Sequence, residues 1–259
     1  MVSPVHRVPH LHVASSQQDI LVAWRLLYNV YRTSGYIPAN PYELHTVPEA
    51  INPDTLVMLA RADATPNAYP LSTIAGIIDG PRGLPLDSAY PRELAALRRA
   101  GHRLIEVGLF GCQDEQSSFL TVFDLMRYVV YHALHRGADE MICGIPPHRI
   151  KLYQRMLGFQ HVGAIKTYST VSDNPVALMR LSISQIEERQ PSLRAVNYFI
   201  HNPLTAETFA PRFRFDPAEL TDSPIDLYLQ SKGEQPLRYA AAQSQKLLAP
   251  VAETQIIAA

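Results

Sequence analysis

The sequence predicts an α/β (α+β) fold, a mixed and mostly antiparallel sheet with helices on both faces. Three observations carry that expectation. Residues 104–145 read as an apolar run, a polar gap, an amphipathic run and a second apolar run. That is strand, loop, helix, strand, which needs a parallel crossover. The apolar runs at 55–61 and 71–79, and again near 160–169 and 175–183, are separated by short links rich in turn formers. Each pair should close as an antiparallel hairpin. Finally, 47% of the 259 residues are apolar against 18% charged, enough to bury a sizeable core.

Each element has its own justification. Residues 10–16 (HLHVASS) suit a short first strand, after which Ser15 or Ser16 offers an N-cap oxygen. From Gln17 to about Ser34 the apolar positions Ile20, Ala23, Trp24, Leu27 and Tyr31 keep helical spacing, and Gly35 stands where helices commonly end. Arg25 and Arg32 lie on this helix. The stretch 36–53 carries Pro38, Pro41, Pro48 and Pro53 and reads as a long loop, the kind that forms lids and binding loops. Its Tyr36, Tyr42, Glu43 and His45 are candidates to line a pocket. After the first hairpin, the loop RGLPLDSAYP leads into a short helix from Pro91 to about Ala100. The strand Leu104–Gly111 holds a single carboxylate, Glu106, in an otherwise apolar run, and Gly108 marks a bulge or a close backbone approach.

Beyond a polar gap at 112–116, Ser117 or Ser118 can cap the next helix, whose Phe119, Val122, Phe123, Met126, Val130, Ala133 and Leu134 trace one stripe. A strand at 139–145 ends at Pro146-Pro147. A short basic helix, 148–157, carries His148, Arg149, Lys151, Tyr153 and Arg155 and closes at Gly158. The expected division is a domain at 1–187 and a loop-rich extension at 188–259 with short helices, polar and partly disordered from Ser231 onward.

Composition excludes several classes. A net charge of -1 argues against a general nucleic-acid binder. Two cysteines, Cys112 and Cys143, are too few for a disulfide framework and read as small core residues. The N-terminus lacks a signal-like apolar region, and no apolar run approaches the roughly 20 residues of a bilayer span, so a soluble cytoplasmic protein with no integral membrane segment is expected. No P-loop, GxGxxG, HExxH or CxxC pattern occurs, and no metal site is expected.

The order of elements resembles the Gcn5-related N-acetyltransferase fold. Two patterns carry the likeness: RLIEVGLF followed by QDEQSSFLTVFDLMRYVVYHAL, and the closing helix Tyr153-Gln-Arg-Met-Leu-Gly158-Phe159. More narrowly, WRLLYNVYRTSGYIP, LPLDSAYP and LIEVGLF resemble the N-acyl amino acid synthases, relatives of the N-acyl-homoserine-lactone autoinducer synthases, over roughly residues 10–183. The resemblance implies an N-acyltransferase that moves a fatty acyl group from a thioester to the amine of an amino acid. It places donor contacts at Leu109, Phe110, Gly111, Gln116, Ser117 and Ser118. Ordinary acetyl-CoA enzymes of this fold have inner glycines in the phosphate loop; here Asp114 and Glu115 stand where a pyrophosphate would bind, and like charges repel. The expected donor is therefore the acyl-phosphopantetheine of an acyl carrier protein, with acyl-CoA second and no permanently bound cofactor. Such carriers are acidic. Arg149, Lys151 and Arg155, and separately Arg92, Arg98, Arg99 and Arg103, are candidate docking patches.

The chemistry needs a proton acceptor, because an amino acid's amine is protonated at neutral pH. Glu106 is the candidate base, since burial in its apolar strand should raise its proton affinity; a structural pairing to an arginine is the alternative. Tyr153 matches the fold family's tyrosine that can return a proton to the leaving thiolate, or else packs as an aromatic. Departures from the family pattern bear on the acceptor: Gly108 and Leu109 replace the autoinducer synthases' Ser-Arg, and Leu27 occupies a position where arginine is usual. Arg25 is expected to hold the acceptor carboxylate instead, with Tyr36 nearby. The alternatives are an acyl-homoserine-lactone-type synthase, an acyl-CoA-dependent N-acyltransferase, or a non-catalytic module that binds an acyl chain or carrier.

Overall fold

The computed structural model describes residues 9–65, 67–113, 119–184 and 194–237. The elements are β1 (His10–Val13), α1 (Gln17–Thr33), β2 (Leu56–Arg61), β3 (Pro70–Ile78), α2 (Pro91–Arg99), β4 (Leu104–Cys112), α3 (Phe119–His135), β5 (Glu140–Ile145), α4 (Ile150–Leu157), β6 (Gln160–Tyr168), β7 (Asn174–Ser182), α5 (Arg194–His201), α6 (Pro217–Leu220) and α7 (Pro224–Ser231). Ser16 caps α1 through the Asp19 amide, as its position before the first apolar repeat suggests.

Seven strands form one sheet in the order β1-β2-β3-β4-β5-β7-β6. Among the described strands only β4 and β5 pair in parallel, the crossover that the sequence demands. Both faces are covered, so every residue of β2 is buried. On one face α3 lays Leu125, Met126, Val129, Val130 and Ala133 against Ile105, Val107, Ile74 and Met58. On the other, α1 crosses β4, where Leu26 and Leu27 reach 3.0 Å from the point a Cβ on Gly111 would occupy. Only a residue without a side chain admits that approach.

Two irregularities in β4 position the site. First, β4 and β5 pair only from Leu104–Glu106 against Glu140–Ile142. Past that point β4 continues along β3 and β5 along β7, so a wedge opens between them just beyond Glu106. Second, Thr73 pairs with Gly111 and Ala75 with Gly108, which leaves Leu109 and Phe110 opposite Ile74 alone. This is a β-bulge, and Leu109 adopts φ 48°. The bulge expected at Gly108 is thus present with its left-handed residue one position on. The extra residue shifts the alternation, so that Gly111 faces α1 while Phe110 packs on the α3 side.

Residues 194–214 fall in the same compact unit as the sheet, which ends at Arg214. The Tyr131 hydroxyl donates to the Phe199 carbonyl at 2.9 Å, Arg212 pairs with Asp54 at 2.6 Å, and the Phe213 amide donates to Ala14 at 2.7 Å. The boundary expected at 187/188 lies outside the described residues, as does most of the chain from Ser231 onward. A second compact unit begins at Phe215. Within it Asp226 is fully buried and accepts the amides of Asp222 and Leu237 at 3.0 Å each. Cys143 is buried and Cys112 half-buried.

Candidate active site

Glu106 sits in β4 between Ile77 of β3 and Ile142 of β5, at the last paired position before the wedge. It is 4% exposed. The Leu86 amide donates to its Oε2 at 2.9 Å. Among the described residues no lysine or arginine pairs with it, so a structural ion pair is not what holds it. Burial pushes its carboxyl well above the usual range; the Leu86 amide pulls it back down, while Glu49, Asp87 and Asp79 add repulsion to its charged form. A carboxyl in that state binds and releases a proton closer to neutrality.

Leu86 comes from the LPLDSAYP loop, which folds over the wedge. Its side chain lies 2.8 Å from where a Cβ on Gly144 of β5 would stand. The loop is held from both ends: the Tyr90 hydroxyl donates to the Val176 carbonyl at 2.7 Å, with the Ala164 carbonyl at 3.0 Å, and the Asn52 amide donates to the carbonyls of Ile78 and Gly83.

Three tyrosines surround the same region. Tyr153 of α4 stacks edge-on against Phe159, ring centroids 5.8 Å apart. Burial raises its hydroxyl above the ordinary value, with Cys143 and Tyr31 adding to the rise and Arg149 opposing it. Tyr31, near the end of α1, is raised by burial and then by Tyr36. Tyr168, at the end of β6, is raised by burial and then by the charge of Glu106. Cys143 of β5 is likewise raised by burial and then by Glu106. Glu106 and Cys143 are buried here, and Tyr153, Tyr31 and Tyr168 are half-buried around them. Tyr168 and Leu86 carry no local sequence signal: one closes an edge strand and the other sits in a turn, and only the fold brings them to Glu106.

The remaining expected residues divide. Leu109, Phe110 and Gly111 form the bulged end of β4 along the wedge. Tyr36 lies in the long loop after α1; its ring meets Tyr31 at 5.8 Å and its carbonyl accepts the Ser172 hydroxyl at 2.8 Å, which ties this loop to the turn between β6 and β7. Gln116, Ser117 and Ser118, with Asp114 and Glu115, lie outside the described residues. Lys151 and Arg155 are exposed on α4, the helix that carries Tyr153 inward, and Arg149 is exposed at its N-cap.

Arg25 is not brought to Glu106. It is exposed on α1, two residues and so about 200° round from the buried Leu27. There it lines a cavity of about 760 Å³ with His10, His12, Asp19, Arg61 and Gln113, and neither Glu106 nor Tyr153 borders that cavity. Arg98, expected on a docking face, is instead spoken for inside the fold: it binds Asp79 and Asp87 at 2.5 and 2.6 Å. No group of three or more histidines, cysteines or carboxylates able to hold a metal occurs among the described residues, and no described helix is long and apolar enough to cross a membrane.

Comparison with known proteins gives the family. Residues 22–182 match the family model of the N-acyl amino acid synthase FeeM. The chain belongs to the N-acyl amino acid synthase family. The structure of FeeM, an N-acyl amino acid synthase from uncultured soil microbes, superposes on this synthase with a TM-score of 0.59 at 26% identity, covering 71% of this chain and 98% of that one. The CoA-dependent acyl-homoserine lactone synthase BjaI, with SAM and isopentyl-CoA, shares the fold with a TM-score of 0.53 at 15% identity over 76% of this chain and 92% of its own. TofI, in a ternary complex with an inhibitor and MTA, does so at 0.51 and 17% over 73% and 96%. Among curated proteins none matches. The synthase is therefore an N-acyltransferase with the Gcn5-related fold, as its sequence motifs lead one to expect.

Proposed function

We propose that this synthase takes a fatty acyl group from the phosphopantetheine thioester of an acyl carrier protein and joins it to the amine of an amino acid. The single observation that carries the chemistry is Glu106: a buried carboxylate that, among the described residues, has one amide donor and no cation, at the point where β4 and β5 part. A pantetheine arm entering the wedge would bring its thioester to the Gly108–Phe110 bulge, whose backbone stands outside the regular ladder and can polarise the carbonyl. Glu106 accepts the amine's proton, directly or through a water, and the neutral nitrogen forms a bond to the thioester carbon. The tetrahedral intermediate collapses, the C–S bond breaks with its electron pair going to sulfur, Tyr153 gives its proton to the thiolate, and the second proton of the attacking nitrogen restores the tyrosine hydroxyl. The products are an amide and a free thiol.

The carrier reading is supported by Asp114 and Glu115 in the loop sequence and by the exposed Arg149 at the N-cap of α4 with Lys151 and Arg155 on the helix, which suit an acidic partner. A CoA thioester is the second reading, favoured by the fold shared with the CoA-dependent BjaI. The acceptor's place is the side of the wedge under Tyr36 and Tyr31; Arg25 faces another cavity. The reading places the enzyme in the cytoplasm, where acyl carriers are loaded. The test supplies purified protein with matched long-chain acyl carrier protein or acyl-CoA and a mixture of the twenty amino acids, and reads products by mass spectrometry. N-acyl amino acid formed at least about tenfold faster from the carrier thioester is the expected result. Faster turnover with acyl-CoA selects the second donor, and the absence of any N-acyl product removes the amino acid acceptor.

A further inference from the structure

The structure assigns a second task to an arginine outside the wedge. We propose that Arg98 is a positioning residue for the reaction: by holding Asp79 and Asp87 together it fixes the loop that aims the Leu86 amide at the carboxylate of Glu106. The inference rests on Glu106 acting as the base.

The chain of contacts is continuous. Arg98 Nε and Nη2 bind the two oxygens of Asp79 at 2.5 and 3.0 Å. Its Nη1 and Nη2 bind the two oxygens of Asp87 at 2.6 and 2.7 Å. Asp87 Oδ2 in turn accepts the Leu84 amide at 2.8 Å. Two residues on, the Leu86 amide donates to Glu106 Oε2 at 2.9 Å. Asp79 follows the end of β3 and Asp87 lies in the loop, so the guanidinium of α2 closes the 80–90 segment at its base and at its middle. A planar fork can serve two carboxylates in this way, and an ammonium cannot.

Arg98 also balances charge. Glu106 is faced by Glu49 from the long loop, by Asp79 and Asp87, by Cys143 from β5 and by Tyr168 from β6. Burial works against the charge of Asp87, yet its hydrogen bonds from Arg98 and Leu84 outweigh this and hold it below its usual value. Without Arg98, two uncompensated carboxylates would stand near a buried third, and the amide that favours the charged form of Glu106 would lose its fixed position. Both changes make Glu106 harder to ionise.

The experiment compares kcat/KM against pH for wild type, Arg98→Met, Arg98→Lys and Glu106→Gln. Arg98→Met should move the acid limb upward by about one pH unit and lower kcat, with KM for the acyl donor within about twofold. Arg98→Lys keeps the charge without the fork and should fall between the two; should the methionine variant not fold, this limb decides alone. An acid limb in either folded variant identical to wild type overturns the proposal. If Glu106→Gln itself keeps the wild-type limb, it is the assignment of the base that has failed.

Discussion

Two glutamates sit on adjacent parallel strands, both nearly inaccessible, and the fold treats them in opposite ways. Glu140 opens β5 at 1% exposure, and Arg180 grips both its oxygens at 2.9 and 2.6 Å, with His102 at 4.0 Å. Glu106, on β4 at 4% exposure, receives one amide and is ringed by acids. Burial alone therefore does not decide a carboxylate's role. A bidentate cation fixes charge and geometry together, whereas a lone amide leaves the proton free to come and go. Position completes the contrast: Glu140 lies where β4 and β5 are still paired, and Glu106 where they begin to part.

The largest expected effect falls on Glu106. Glu106→Gln keeps shape and an acceptor for the Leu86 amide but removes the carboxylate proposed as base; turnover should fall about 10²–10⁴-fold with the far-ultraviolet spectrum unchanged. Retained wild-type turnover would erase the distinction between the two glutamates. Glu140→Gln should act on the other quantity. Leaving Arg180 without its carboxylate partner should lower unfolding free energy in urea by about 2–3 kcal/mol, the arginine's partial exposure tempering the loss, while the folded fraction keeps its specific activity within about twofold. A Glu140→Gln variant that is fully stable yet inactive would reverse the assignment. The smallest effect is a gain. Because the proton affinity of Glu106 is higher folded than unfolded, its contribution to stability is full at acid pH and is lost as pH rises through the folded value. Glu106→Gln should therefore raise Tm modestly at pH 8 and less at pH 5; a lower Tm at pH 8 would mean that the charged form is welcome in the fold.

How much of this was legible follows the range over which each signal acts. The crossover was readable because β4, α3 and β5 each carry their own periodicity, and Glu106 because a carboxylate in an apolar strand is visible without any partner. The bulge was readable as an irregularity at Gly108, yet the residue that takes the left-handed conformation is Leu109, which no local preference favours. Arg98 looked like one of a row of surface arginines; that it joins Asp79 and Asp87 depends on how a loop folds back across the sheet edge. The segment 194–214 has no strand or helix period along most of its length, and its anchors, Ala14, Asp54 and Tyr131, are remote in sequence. Arg25 is close to Leu27 along the chain, yet helical geometry turns two residues of separation into opposite directions.

The account rests on Glu106 being a buried base that ionises well above the usual carboxylate range. The most direct test is kcat/KM as a function of pH for the wild type beside Glu106→Gln. The account predicts an acid limb centred well above pH 4.5, absent from the residual activity of the glutamine variant. A wild-type profile that stays flat down to pH 5, or a limb that survives the substitution, would contradict it.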